Sequence, residues 1–128
     1  MGNGTSIGRV RGLGSAHSGS HHWLVFRYTS IGSLFLTLWF GISLLLLPDL
    51  GYASVREWLV KPIPATALAL FLLVNIWHGK MGLQVVIEDY VHEQASKFAA
   101  LMALNLVAVG SAAFGLFCIL RLALGGAA

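Results

Sequence analysis

The chain has 128 residues and a formal net charge of +3, yet only 10% of its residues are charged and its mean hydropathy is +0.79. Soluble domains carry roughly 25% charged residues, so the composition predicts one small membrane domain over residues 1–128. The basic residues are spread over loops and tails, which excludes the basic patch of a nucleic-acid-binding protein. The single cysteine, Cys118, excludes a disulfide framework.

Three apolar segments follow a polar tail of residues 1–22, which is rich in Gly, Ser and His and lacks the apolar core of a signal peptide. A helix needs about 20 mainly apolar residues to cross the hydrocarbon. The predicted spans run from about Tyr28 to Leu47, from about Ala65 to Val91 and from about Phe98 to Leu124. Because lipid cannot satisfy backbone N–H and C=O groups, the spans are predicted to be helices. The fold class is therefore an all-α membrane protein with three transmembrane helices.

The two connections between the spans differ in length. The first begins after Pro48 and ends at the helix-breaking pair Pro62 and Pro64; its Tyr52–Trp58 segment is predicted to be a short helix at the headgroup level. The second is a short turn at His92–Ser96, so spans two and three are predicted to form an antiparallel hairpin.

Pairs of small residues four positions apart indicate where helices approach closely. The pairs are Thr37 with Gly41 and Ser111 with Gly115. They predict a packed bundle without identifying its partners.

The orientation prediction comes from Lys and Arg in the short loops. Four basic residues lie on the N-terminal side and three on the other: Arg9, Arg11, Arg27 and Lys97 against Arg56, Lys61 and Arg121. This small bias predicts a cytoplasmic N-terminus, and the C-terminal end of span two then faces the cytoplasm as well.

His78 lies deep inside the second span. A histidine at bilayer depth is costly and faces the protein interior or a cavity. Asn75, Gly82 and Asp89 fall within about 60° of it on a helical wheel. The missing side chain of Gly82 leaves room for a flat ring, and neutral imidazole is a good ligand for haem iron. The alternative is a buried histidine that is hydrogen-bonded to a neighbouring helix.

An acid and a tyrosine, Asp89 and Tyr90, lie roughly 16–18 Å along the helix from His78, near the membrane surface. A tyrosine hydroxyl there can donate a hydrogen bond to a quinone carbonyl, and a neighbouring carboxylate can orient it. The alternative is that both residues are interfacial anchors, which are common at helix ends.

The remaining candidates are basic. Arg27 precedes the first span and can pair with a propionate, because its planar fork matches carboxylate geometry; alternatively it is a topology signal. His17, His21 and His22 lie in the Gly/Ser-rich tail, where solvation is favoured over a metal site. Lys80 lies about 200° round the helix from His78, and it is predicted to snorkel or to pair with an acid on a partner subunit.

Two motifs carry a resemblance to a known family. One is His78–Gly82 followed by Asp89–Val91, and the other is Ser15–Trp23 leading to Arg27–Ser30. On these motifs the chain, over about residues 12–124, resembles the hydrophobic membrane anchor subunit of succinate dehydrogenase (respiratory complex II). The likeness is to the D-type subunit in its alphaproteobacterial form.

The resemblance implies a role for each candidate. His78 would be an axial ligand of haem b, and its imidazole would hold the haem iron. Tyr90 would hydrogen-bond ubiquinone, with Asp89 beside it. Arg27 and His21 would lie near the haem propionates, although the neighbouring His22 fits the histidine position as well. Lys80 departs from the apolar residue that is expected there.

The resemblance also implies partners and a location. The second haem ligand would come from a C-type cytochrome b anchor subunit, which shares the haem-binding bundle, while an iron–sulfur subunit and a flavoprotein subunit complete the complex. The chain would lie in the bacterial inner membrane and carry no catalytic residue of its own. Two alternatives stay open: the anchor of a quinol:fumarate reductase, and a structural membrane protein without a cofactor.

Overall fold

The computed structural model describes residues 19–125, apart from the side chain of His22. It contains four helices and, over these residues, no strand: α1 (Gly19–Leu45), α2 (Tyr52–Val60), α3 (Pro62–Tyr90) and α4 (Gln94–Ala123). Helices α1, α3 and α4 are each long and apolar enough to cross a membrane, judged by length and composition. The predicted all-α membrane fold is confirmed.

The helices extend beyond the apolar runs at their N-terminal ends. α1 begins at Gly19, so the last residues of the predicted polar tail are helical, and α3 begins at Pro62 instead of after Pro64. Proline fits the first turn of a helix because its missing N–H is not needed there. With 29 residues, α3 is about 43 Å long, which exceeds the roughly 30 Å of hydrocarbon. Its ends therefore reach the headgroup regions.

Helices α1, α3 and α4 form one layer, in which α3 is the central helix. It packs against α1 on one side and α4 on the other, while the backbones of α1 and α4 do not approach each other over residues 19–125. Phe40 of α1 stacks on Phe71 near the start of α3, and Phe26 meets His78 further along, so the two helices are antiparallel. The start of α1, the end of α3 and the start of α4 consequently lie together, at what we call the Tyr90 end.

The predicted hairpin of spans two and three is confirmed. Only three residues, 91–93, separate α3 from α4. A Cβ at Gly115 of α4 would lie 2.5 Å from a methyl carbon of Leu72 in α3, so the glycine permits this close approach. Nothing lies within 4 Å of a Cβ built at Gly41, and that position is open in the chain by itself.

Helix α2 forms where the sequence predicts a short helix, and it covers the end of the layer opposite Tyr90. Trp58 stacks on Trp39 of α1 with ring centroids 5.8 Å apart, and it also lies beside Phe40. Leu59 is buried. The aromatic contacts join α1 to the segment that leads into α3.

The layer is too thin to enclose a large core. Among residues 19–125 only Leu59, Met81 and Ile119 are buried, and none of the buried side chains is polar. Most apolar side chains point outward. The outer faces of α1, α3 and α4 are thus available to lipid and to other subunits.

Glu93 caps the helix that follows the hairpin turn. Its carboxylate accepts hydrogen bonds from the backbone N–H groups of Ala95 and Ser96, at 3.0 and 2.6 Å. The hydroxyl of Ser96 and then these two amides lower the pKa of Glu93 below its ordinary value of 4.5. The charged carboxylate is therefore the form that holds the first turn of α4.

We expect Glu93→Ala to loosen this turn at neutral pH. Because the folded pKa is lowered, the capping contribution is complete above pH 4.5 and is lost as pH falls through the folded value. Amide hydrogen exchange at Ala95 and Ser96 measures the effect, after correction for intrinsic rates. The variant should exchange faster at pH 7, whereas Glu57→Ala, an exposed position in α2, should not. Equal exchange in Glu93→Ala and the unaltered chain would refute the cap.

Candidate functional site

His78 faces α1, as the helical wheel predicts for an inward residue. Its side chain is half-buried. The imidazole lies against Phe26, with ring centroids 4.7 Å apart and an interplanar angle of 36°. Its Nδ1 atom lies 3.2 Å from the hydroxyl oxygen of Thr29. The ring is thus held between two residues that are one turn apart on α1.

The hydrogen bonds of Thr29 are compatible with one neutral tautomer of His78 in particular. A threonine hydroxyl has one hydrogen to donate. Thr29 donates it to the carbonyl oxygens of Val25 and Phe26, at 2.9 and 3.0 Å. With that hydrogen on a carbonyl, the hydroxyl oxygen can accept a hydrogen bond from the tautomer of His78 that is protonated on Nδ1. In the neutral ring this leaves the lone pair on Nε2, which is the form that binds iron.

This hydrogen bond also matches the alternative in which the histidine only joins two helices. However, it occupies one nitrogen, and Nε2 makes no hydrogen bond to any other residue in the 19–125 range. A histidine that ligates metal usually donates its other N–H to an oxygen, which fixes the ring orientation. The hydrogen bond therefore orients the ring and leaves Nε2 without a partner among residues 19–125.

An apolar cleft lies on the other side of Phe26, the residue that contacts the imidazole. It lies between α1 and α3 and has a volume of about 390 Å³, with Gly19, Trp23, Phe26, Gly82 and Val85 as its lining. A Cβ built at Gly82 would meet nothing within 4 Å, so packing inside the chain does not require glycine there. The space is open to a group from outside the chain. Apolar walls beside a histidine fit the edge of a flat, largely apolar ring such as a porphyrin.

A second hydrogen bond joins the same two helices one turn away. The hydroxyl of Ser33 donates to the side-chain oxygen of Asn75 at 2.7 Å, and the Asn75 amide donates to the carbonyl of Phe71 at 2.8 Å. Together with the Thr29–His78 bond it fixes how α1 is rotated against α3. No role was predicted for Thr29 or Ser33. The sequence feature that could have identified them is their four-residue spacing, which puts both hydroxyls on one face of α1.

Arg27 and His21 are both exposed, and they lie on different sides of α1. Arg27 follows Trp23 by four residues, so it is about 40° from it and shares the side that lines the cleft. His21 precedes Trp23 by two residues, about 160° round the helix. The competing candidate His22 has its side chain outside the described part of the chain, as does the whole of His17. The proximity of Arg27, and of His21 or His22, to a haem propionate stays a prediction.

Asp89 and Tyr90 are the last two residues of α3, and both are exposed. The Tyr90 ring is 78% exposed, so only another molecule could enclose it. At 1.5 Å per residue it lies about 18 Å along the axis from His78. The structure keeps the two predicted sites apart and leaves both open on their outer side.

Within residues 19–125 no three His, Cys, Asp or Glu side chains come together in a way that could hold a metal ion. His78 accordingly has no second potential metal ligand of these residue types grouped with it in this stretch in a cluster of three.

Sequence comparisons place the chain among known proteins. Residues 1–113 match the family described as succinate dehydrogenase/fumarate reductase transmembrane subunit. The relatives include succinate dehydrogenase hydrophobic membrane anchor subunits from Rickettsia bellii (32% identity, covering 80% of this chain and 82% of the relative), Rickettsia conorii (35%; 66% and 68%) and Paracoccus denitrificans (32%; 70% and 70%). These relatives agree with the resemblance of the two sequence motifs to alphaproteobacterial anchor subunits. The chain belongs to the family of succinate dehydrogenase/fumarate reductase transmembrane subunits.

Proposed function

We propose that the chain is the D-type membrane anchor of a succinate:ubiquinone oxidoreductase. It would hold the flavoprotein and iron–sulfur subunits at the bacterial inner membrane, with its N-terminus in the cytoplasm and without a catalytic residue of its own. Family membership and three membrane-spanning helices support the anchoring role. The names of the three relatives favour succinate dehydrogenase over a quinol:fumarate reductase.

The central part of the proposal is that Nε2 of His78 would hold the iron of a haem b shared with a C-type cytochrome b anchor. The observation that carries it is the Thr29–His78 hydrogen bond, because it engages Nδ1 and leaves Nε2 without a partner among residues 19–125. When bound, haem b supplies a one-electron redox centre. Phe26 and Gly82 shape the space beside the imidazole. Arg27, on the cleft side of α1, would pair with a propionate, as would His21 by resemblance alone.

The second part concerns ubiquinone. We infer that the Tyr90 hydroxyl donates a hydrogen bond to a quinone carbonyl oxygen and that the Asp89 carboxylate orients the neighbouring polar groups. The exposure of Tyr90 at the end of α3 supports this, since its ring is free to form one wall of a pocket. The C-type anchor and the iron–sulfur subunit would complete that pocket. Electrons would reach it from succinate through the iron–sulfur clusters.

A reduced-minus-oxidised optical spectrum of the complex, purified through this chain in mild detergent, tests the proposal. We expect flavoprotein, iron–sulfur and C-type subunits to co-purify and a single b-type haem to be present per complex. A preparation without a b-type band would support the cofactor-free structural alternative. Two haems, or none together with fumarate reduction as the main activity, would support the fumarate reductase alternative.

Thr29→Val tests the positioning of the imidazole, because valine keeps the shape of threonine and removes the hydroxyl. Loss of an outer hydrogen-bonding partner typically weakens metal binding by about 10–100-fold, and we expect haem retention to fall on that scale. The Nδ1–H hydrogen bond makes the ligand more basic and so favours oxidised iron. Its loss should raise the haem midpoint potential, as measured by a redox titration of the optical spectrum.

Two variants control for this experiment. Thr29→Ser keeps a hydroxyl and should restore both the haem content and the potential. Ser33→Ala removes the other hydrogen bond between α1 and α3 and should leave the potential unchanged. If Thr29→Val and Ser33→Ala behaved alike, Thr29 would only join the helices.

A further inference from the structure

Lys80 lies on the opposite side of α3 from His78, in a groove between α3 and α4. Its Nζ atom lies over the ring of Trp77, 4.9 Å from the centroid. Trp77 precedes Lys80 by three residues, so the side chain leans toward the start of α3 and away from the Tyr90 end. This is opposite to the direction in which a lysine would snorkel to reach the Tyr90 end.

The depth of Lys80 follows from residues at the Tyr90 end. Lys97 at the start of α4 donates from its Nζ atom to the backbone carbonyl of Glu88 at 2.8 Å, so its ammonium is level with Glu88. Lys80 precedes Glu88 by eight residues, and Asn105 follows Lys97 by eight. At 1.5 Å per residue both are about 12 Å further in. With a hydrocarbon core about 30 Å thick, the Lys80 ammonium lies inside the apolar region.

No acidic side chain of this chain can reach Lys80. The chain has five, and all of them lie in the described part. Glu88, Asp89 and Glu93 are at the Tyr90 end, whereas Asp49 and Glu57 are at the opposite end in or before α2. The contact with the Trp77 ring offsets part of the cost of holding a cation there. A counter-charge has to come from another molecule.

The groove beside Lys80 suits a helix. It has a volume of about 360 Å³, and its lining is apolar apart from Lys80 and Asn105. Three alanines of α4, at positions 108, 112 and 113, form part of its wall. Small residues let the backbones of two transmembrane helices approach closely. A lipid phosphate would have to leave the headgroup layer by about 12 Å to reach Lys80, whereas a side chain on a helix can lie at any depth.

We propose that the α3–α4 groove docks a transmembrane helix of a partner subunit, and that this helix carries an Asp or Glu carboxylate that pairs with Lys80. The partner face is separate from the α1–α3 cleft, because Lys80 and His78 are about 160° apart on α3. The inference rests on membership of a multi-subunit complex and is independent of the haem assignment. The chain would then contact partners through two different faces.

The test uses the full complex in native membranes, with Lys80→Met, Lys80→Arg and the exposed interfacial variant Lys61→Met as a control. Removing one partner of a buried ion pair leaves the other charge unpaired and strongly destabilises the pair. We expect Lys80→Met to lower the co-purification of partner subunits in mild detergent by at least about tenfold. Lys80→Arg and Lys61→Met should retain it. A hydrophobic carbodiimide should link Lys80 to a partner carboxylate, and mass spectrometry locates the linked peptides.

Two results would overturn the proposal. One is normal co-purification of Lys80→Met together with no cross-link in the unaltered complex. The other is loss of a bound anionic phospholipid from Lys80→Met, detected by intact-complex mass spectrometry, while subunit assembly stays normal; that would make a lipid the occupant of the groove. Haem content of the assembled fraction is measured separately, so failure of the His78 assignment would be recognised as a different result.

Discussion

His78→Ala should abolish the b-type haem band of the purified complex while the three long helices still insert. The substitution removes the imidazole that contacts Phe26 in the wall of the cleft, and loss of a direct iron ligand should weaken haem binding by more than the roughly 100-fold seen for outer partners. It also removes one hydrogen bond between α1 and α3, which is worth about 1 kcal/mol in a membrane. The bundle should therefore persist, as checked by the amount of the variant in the membrane fraction.

Two controls make this result specific. Asn75→Ala breaks the neighbouring bond between α1 and α3 and should leave the band in place. Free imidazole can occupy the space that the alanine variant leaves, and adding it should restore part of the band. An unchanged spectrum in His78→Ala would rule this residue out as a ligand.

Tyr90→Phe should lower succinate:ubiquinone reductase activity by about 100-fold, the scale found when a hydrogen-bond donor to an oxygen that gains negative charge is removed. The Tyr90 ring is 78% exposed, so phenylalanine costs little packing within the chain. Succinate oxidation by an artificial soluble acceptor should be unaffected, because it bypasses the quinone. The ratio of the two rates is the measurement.

Tyr52→Phe is the matched control for Tyr90→Phe. Tyr52 is also exposed, at 65%, but it begins α2 at the opposite end of the layer. Its substitution should alter neither rate. If both activities fell together in Tyr90→Phe, Tyr90 would be needed for assembly, and the quinone assignment would be abandoned.

The fold could largely be predicted because the apolar runs are long and their connections are marked. Proline and charged residues ended each predicted span near the observed helix ends, and the short turn at 92–96 predicted the hairpin. The start of α1 at Gly19 was missed because hydropathy reports which residues favour lipid, whereas a helix can continue into the headgroup region without apolar side chains.

The candidate site could be predicted only in part. The wheel put Asn75 and Gly82 beside His78, and the structure brings the same face against α1. Thr29 was missed because a helical threonine satisfies its own hydroxyl on a preceding carbonyl, and nothing local reveals that its oxygen also lies within hydrogen-bonding distance of a histidine 49 positions away. That pairing depends on how α1 rotates against α3.

The roles of the surface residues could not be predicted for another reason. Arg27, Asp89 and Tyr90 are exposed, and the groups proposed to contact them belong to other molecules, so neither sequence periodicity nor the fold of one chain specifies their roles. Lys80 illustrates what the structure adds. The sequence offered two interpretations, snorkelling or a pair with an acid on a partner subunit, and the contact of its Nζ atom with the Trp77 ring turns the side chain away from the Tyr90 end.

A density map of the intact complex is the most direct test of the proposed iron ligand. We expect a tetrapyrrole between this chain and the C-type anchor, beside Gly82, with its iron bonded to Nε2 of His78 and with Nδ1 within hydrogen-bonding distance of Thr29. A map in which the imidazole lies against acyl chains or another protein group, with no tetrapyrrole in the cleft, would contradict the proposal.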